Sequence, residues 1–209
     1  MVWHDMTPPA NPSGRQARRF VQRYLSLIGC EAQANAPPSL AGLAKIMQNH
    51  IHRIQFNAYP FIATDPKAVI LDPYRCLAEK FMRAQGGICF ELNCCLNALL
   101  QNLGYTTYLT GAGMEHIKDR EMPRYELDTH NTIVVSLADR WYLLDVGLGN
   151  YVRHPVPFDS PCADPTGQYR IVQADGTAPA HTLERFSHKQ DRWLPQYRFE
   201  IRDRSPEAF

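Results

Sequence analysis

Much that would assign a function at a glance is missing from this chain of 209 residues. No stretch stays apolar for the roughly 20 residues that a bilayer-spanning helix needs. Neither sign of charge dominates: 22 Lys and Arg stand against 21 Asp and Glu, a formal net charge of +1. The electrostatic footprint of a nucleic-acid or anionic-membrane binder is therefore lacking. Arg15, Arg18, Arg19 and Arg23 do cluster, but they read as the solvated face of a helix. There is no CxxC pair for zinc, no HExxH, no P-loop and no GxGxxG. No metal site is expected, and the glycines of Asp145-Val146-Gly147-Leu148-Gly149 read first as a tight exit from a strand. Met1 to Met6 lack the charged start and apolar stretch of a secretory signal. The six cysteines include the adjacent Cys94 and Cys95, which do not suit a disulfide framework, so a reducing, cytoplasmic setting is expected.

What is present suffices for a folded core. Apolar residues make up 44% of the chain, enough to exclude global disorder. Residues 1–13 are rich in Pro, Asn and Ser and read as a flexible tail. Beyond them, Ala17, Phe20, Val21, Tyr24, Leu25 and Ile28 recur at helical spacing. Ser39 then precedes Leu40, Leu43, Ile46, Met47 and Ile51, which predicts a second helix with Ser39 as its N-cap. Tyr74 to Met82 reads as a short third helix. A fourth follows Gly86-Gly87, with Leu92, Leu96, Leu99, Leu100 and Leu103 as its stripe and Gly104 ending it. After Gly104 the period falls to two. Tyr105–Thr110, His130–Leu137, Arg140–Val146, Tyr169–Ala174 and Gln196–Arg202 are strand candidates, the second and third joined across Ala138-Asp139. Glu115–Leu127 reads as a polar loop, and Asp175-Gly176 as a turn. The division expected is a tail (1–13), a helical domain (14–104) and a β-barrel domain (105–209).

One local pattern carries chemistry. Gly86-Gly87-Ile88-Cys89 puts a cysteine at the mouth of an amphipathic helix, after two residues that tolerate a sharp turn. Unpaired N–H groups and the positive end of the helix dipole favour a thiolate there. Position alone leaves Cys89 evenly balanced between a reactive and an inert thiol. The pairing of His130 with Asp145 tips the balance. Across a two-residue turn, Asp145 lies opposite Thr132, and His130 is its diagonal neighbour on the same face at about 7–8 Å. The carboxylate can then hold one imidazole nitrogen while the other faces the sulfur. His50 and His52 lie on or near the second helix without such partners. His116, His154, His181 and His188 sit in polar, loop-like contexts.

These residues resemble the arylamine N-acetyltransferase family. The resemblance rests on Gly-Gly-Ile-Cys-Phe-Glu-Leu-Asn (86–93), on His130 and on Asp-Val-Gly-Leu-Gly (145–149). Supporting similarity extends to Ile54-Gln55-Phe56-Asn57, Leu103-Gly104-Tyr105 and Gln196-Tyr197-Arg198-Phe199-Glu200. It implies an α+β fold, a papain-like cysteine acyltransferase with a helical bundle followed by an antiparallel β-barrel, and a catalytic triad of Cys89, His130 and Asp145. It further implies ping-pong transfer of an acyl group from acyl-CoA, a co-substrate and not a permanently bound cofactor, to an amine acceptor. Phe56 and Leu148 are then expected at the acceptor substrate, and Gly147 and Gly149 at the donor.

Three departures from the family pattern shape the expectation. The usual third α/β domain is expected to be missing, which would leave the donor pocket open, rebuilt or completed by a second copy of the chain. Gln85 stands where the family has Arg, and Asn57 where it has Glu, so a neutral Asn57–Gln85 pair is expected to support the cysteine loop. Leu148 replaces an aromatic residue, which suggests a roomier acceptor pocket. The same triad also fits an amide-forming cyclase or a thioester hydrolase acting on a substrate tethered to an acyl carrier protein. An inactive paralogue acting as a binding scaffold is the remaining alternative. No nucleic-acid or membrane partner is expected.

Overall fold

The computed structural model describes residues 14–59, 62, 69–114, 129–149, 152–173 and 180–202. The expected tail (1–13), the loop at Glu115–Leu127 and the turn at Asp175-Gly176 lie outside the described residues.

The helices α1 (Arg15–Ile28), α2 (Leu40–Arg53), α3 (Pro73–Glu79) and α4 (Cys89–Asn102) come first among the described residues. Their ends follow from local chemistry. Gly29, in the left-handed region at φ 68°, terminates α1. The Ser39 hydroxyl accepts from the Gly42 N–H at 3.1 Å and starts α2, as its sequence predicts. Asp72 caps α3 in the same way, through Arg75 N–H at 2.7 Å, with Pro73 in the first turn where a missing N–H costs nothing. The third helix is shorter than its periodicity suggests. It closes at Glu79 and continues as a 3-10 turn over Phe81–Arg83, which lets Ala84 adopt φ 56° before the glycine pair. Phe20, Tyr24, Leu43, Ile46, Met47, Phe81 and the leucines of α4 are all buried together.

Eight strands form one antiparallel sheet in the order β4-β3-β2-β1-β8-β7-β6-β5: β1 (Thr106–Met114), β2 (His130–Leu137), β3 (Arg140–Leu144), β4 (Val156–Pro157), β5 (Cys162–Asp164), β6 (Gly167–Gln173), β7 (Ala180–Ser187) and β8 (Arg192–Glu200). β4 approaches β6, so the sheet curls into a nearly closed barrel. The core continues into it through Ile133, Val134, Val135, Leu143, Leu144, Tyr169 and Phe199, and α4 lies across β1 and β2. This is an α+β arrangement of helices followed by an antiparallel barrel.

The β2–β3 hairpin has the register expected of it. Leu137 pairs with Arg140 and Ile133 with Leu144. Ala138 and Asp139 both have positive φ (49° and 61°), the two-residue geometry that matches strand twist. Elsewhere the strands run longer than their patterns suggest. β1 continues through Gly111 and Gly113 to Met114. β8 begins at Arg192 and absorbs Pro195 at a register shift opposite Leu183 and Glu184. β7 corrects the loop-like reading of His181. That residue is buried on a strand, stacked on Phe199 at 5.6 Å, while Glu184 and Arg185 blur the alternation around it. Among the described residues, no helix is long and apolar enough to cross a membrane.

Candidate active site

The glycine pair is what brings Cys89 into place. Gly86 has φ 66°, and a Cβ there would fall 2.2 Å from the carbonyl oxygen of Gln55. Gly87 N–H donates to that same oxygen at 3.2 Å, and Asn57 N–H donates to the Gly87 carbonyl at 2.9 Å. Two backbones therefore meet in a short parallel bridge, Phe56 to Gly87, that only glycine permits. The chain leaves this bridge directly into α4, whose first residue is Cys89 and whose N-cap is Ile88. The thiol is half-buried at the helix end where N–H groups lack intrahelical partners.

His130 opens β2 and is almost wholly buried, as is Asp145 just past β3. The His130 Nε2 lies 2.6 Å from Asp145 Oδ2. Burial pulls the imidazole pKa down. The charge and hydrogen bond of Asp145, joined by a hydrogen bond and charge from Cys89, outweigh it and raise the value to about 10. With Nε2 taken by the carboxylate, Nδ1 is the nitrogen left for the sulfur. An imidazole held in this way can take a proton from the thiol and keep it.

Gly147 closes the arrangement from the barrel side. A Cβ at this position would stand 2.6 Å from the Cys89 Cα and 3.0 Å from Asn93 Nδ2. The strand exit can therefore press on α4 only if residue 147 has no side chain. Its N–H donates to Asp145 Oδ1 at 2.8 Å. Thus Cys89, His130, Asp145 and Gly147 come together. Phe56 sits on the lip beside the glycine turn, 47% exposed. Leu148 is half-buried against the core. Gly149 has φ 73° and open space around the position of a Cβ.

The Asn57–Gln85 expectation changes form. Asn57 Nδ2 donates to the backbone carbonyl of Gln85 at 2.9 Å, and its Oδ1 accepts from Tyr59 N–H at 3.1 Å. Asn57 braces the loop through backbone, and the Gln85 side chain is exposed. The bridge at Phe56 turns that carbonyl towards Asn57, so no side-chain partner is needed.

Several site residues carry no role in the sequence reading. Asn93, one helical turn after Cys89, donates through Nδ2 to Asp145 Oδ1 (3.1 Å) and to the Asn131 carbonyl (2.8 Å), and its Oδ1 accepts from Val146 N–H (3.0 Å). It pins α4 to both strands of the hairpin. The signal was a polar side chain at i+4 from the cysteine inside a leucine stripe. Tyr197 on β8 lays its ring 5.3 Å from His130 and shares a 3.3 Å hydrogen bond with Thr132. Burial, then the nearby Asp145 charge, push its phenol well up. Glu91 and Lys80 form a buried ion pair beneath the glycine turn. Among the described residues, no group of three or more His, Cys, Asp or Glu is placed to hold a metal ion.

Known proteins share this arrangement of chain. The N-malonyltransferase of Gibberella moniliformis is 25% identical over 87% of this chain and 61% of its own length. The arylamine N-acetyltransferase / N-hydroxyarylamine O-acetyltransferase of Salmonella typhimurium is 27% identical over 87% of this chain and 62% of its own. The chain thus spans about three-fifths of the length of these curated relatives. The solved arylamine N-acetyltransferase of Mycobacterium abscessus superposes with a TM-score of 0.77, at 24% identity, over 94% of this chain and 70% of that one. The sequence model of the N-acetyltransferase family matches residues 39–209. With most of its length inside that match and its fold reproduced by a solved member, the chain belongs to the arylamine N-acetyltransferase family.

Proposed function

We propose that the protein transfers an acyl group from a thioester, acyl-CoA or a similar donor, to an amine through an acyl-cysteine at Cys89. In this reading residues 14–104 form the unit that supplies the nucleophile, and the barrel from residue 105 supplies His130 and Asp145. The Cys89 thiolate attacks the thioester carbonyl, and backbone N–H groups at the α4 N-terminus receive the developing oxyanion. The carbon–sulfur bond to the donor breaks, and the departing thiolate takes its proton from the His130 imidazolium. The neutral imidazole then accepts a proton from the incoming amine as its nitrogen attacks the acyl-cysteine. An amide is released and the Cys89 thiolate returns beside protonated His130. Asp145 keeps the ring in one tautomer throughout.

The observation that carries this reading is the buried His130, held by Asp145 at 2.6 Å on one side and hydrogen-bonded to Cys89 on the other. Phe56 and Leu148 are assigned to the acceptor side, the first because it stands exposed at the lip and the second because it follows Gly147. The donor is assigned to the Gly147–Gly149 turn. Gly149 is the open end of that turn, since Gly147 is already occupied with Cys89.

Intact-protein mass spectrometry after exposure to acyl-CoA tests the assignment. The native protein should gain the mass of one acyl group and lose it when an amine is added. Cys89→Ala should gain nothing. An adduct that survives in Cys89→Ala removes the cysteine from the mechanism.

A further inference from the structure

Glu91, in the first turn of α4, and Lys80, which follows α3, form a second charged pair, distinct from His130 and Asp145. Glu91 is fully buried, and its carboxylate serves three donors. Oε2 accepts from Ile88 N–H at 3.0 Å, the backbone group that precedes Cys89. Oε1 accepts from Ile70 N–H at 2.8 Å and from Lys80 Nζ at 2.5 Å. The side chain also lies flat on the glycine turn: a Cβ on Gly87 would stand 3.0 Å from Glu91 Oε2.

Two of those donors are backbone groups from separate segments, and each meets its own carboxylate oxygen. An amide at this position has one acceptor oxygen and would turn an N–H₂ towards the other donor. A carboxylate is therefore what ties the Ile70 segment and the α4 N-cap together, in the manner of a capping box. It also sets a buried negative charge two residues from Cys89. Seated on the Ile88 N–H, that charge opposes the positive end of the helix dipole, where Cys89 stands. Lys80, held at the junction of α3 and the 3-10 turn with its side chain 9% exposed, supplies the compensating positive charge.

We propose that Lys80 is an electrostatic positioning residue for Cys89: its ammonium cancels the Glu91 carboxylate, so that the cap which anchors the cysteine turn does not oppose negative charge on the sulfur. Gln85, exposed and uncharged, contributes no cation to this turn. The charge that steadies the loop comes instead from beneath it. The inference rests on the reading of Cys89 as nucleophile, and its test keeps the two apart.

The test is the pH midpoint of alkylation of Cys89 by iodoacetamide, read on the Cys89-containing peptide by mass spectrometry. Lys80→Met should move the midpoint up by about one pH unit. Glu91→Gln should move it the opposite way. The double variant, with no buried charge, should return near the native midpoint, and it remains foldable where Lys80→Met alone is not, because it leaves no orphaned ion. Opposite signs in the two single variants establish the electrostatic role. A purely structural brace would lower stability in both and leave the midpoints of the folded fractions coincident, and that result overturns the proposal. Acyl transfer in Cys89→Ala separates the two readings: if activity survives there, the nucleophile assignment fails while the alkylation series still reports on Lys80. If Cys89→Ala is inactive and the midpoints coincide, the role of Lys80 alone is lost.

Discussion

His50 and His130 are both buried, and they end in opposite states. His50, on α2, sits among Tyr24, Phe81 and the helical core, with Nδ1 2.8 Å from the Tyr24 hydroxyl and Nε2 buried without a hydrogen-bond partner. Desolvation pushes its pKa down to about 3, and it is neutral. His130, as deeply enclosed, is raised to about 10. Burial acts in the same direction on both rings. What separates them is the partner: a neutral hydroxyl at one site, a carboxylate and a thiol at the other. The helical half of the molecule keeps imidazole neutral among core side chains, and the seam between α4 and the β2–β3 hairpin holds it protonated beside a carboxylate.

Asp145→Asn tests that contrast most severely, since it makes the partner of His130 neutral while keeping its shape. The His130 titration followed by NMR should fall from about 10 towards the His50 end of the range, because burial is then opposed by Cys89 alone. Acyl transfer, measured as kcat/KM, should drop on the order of 10³–10⁴-fold, the scale on which loss of the orienting carboxylate acts in other triads. A ring that still titrates near 10 in Asp145→Asn would mean that the carboxylate is not what holds the proton.

The seam was legible because each of its parts is a local pattern. The glycine pair ahead of an apolar helical stripe locates Cys89 at a helix entrance. A two-residue turn fixes the register of the hairpin, so that Thr132 falls opposite Asp145 and His130 one diagonal step away. Lys80 and Tyr197 were not legible, because each reaches the site through a packing relationship between distant segments. Lys80 stands in the break between α3 and its 3-10 turn, and nothing in its neighbourhood announces a partner on α4. Tyr197 faces His130 only because β8 pairs with β1 across the barrel, and that pairing depends on β7, whose alternation is obscured by Glu184 and Arg185. The same limit explains Asn57. Its partner is a backbone carbonyl, and residue types alone do not reveal which carbonyls a bridge will turn outward.

A smaller effect sharpens the comparison from the His50 side. Its folded pKa of about 3 lies below the unfolded value of about 6.5, so the unfolded chain binds the proton more readily. The stability contributed by keeping this ring neutral is fully present above pH 6.5 and is lost as the pH falls from there towards 3. Urea unfolding across that interval should show stability falling with a slope of up to about 1.4 kcal/mol per pH unit from this group. In His50→Asn, which keeps a polar atom near Tyr24 and does not titrate, that share of the slope should vanish. The slope is the readout, since the smaller side chain lowers absolute stability at every pH. An unchanged slope would show that His50 does not resist protonation.

Tyr24→Phe is the gentlest change, and it separates the two explanations of the low His50 value. The ring would still pack against Phe20 and Phe81, and only the hydroxyl would be removed. Nδ1 would then join Nε2 in having no hydrogen-bond partner, at a cost of about 1–3 kcal/mol in unfolding free energy. The titration of His50 should barely respond, because burial is the cause of its displacement and a neutral hydroxyl bonds either protonation state weakly. This is the reverse of Asp145→Asn, where loss of the partner changes which state is favoured. If Tyr24→Phe instead lifts the His50 pKa by more than about one unit, the hydroxyl has been holding the imidazole neutral, and the two histidines differ in degree of hydrogen bonding more than in the presence of charge.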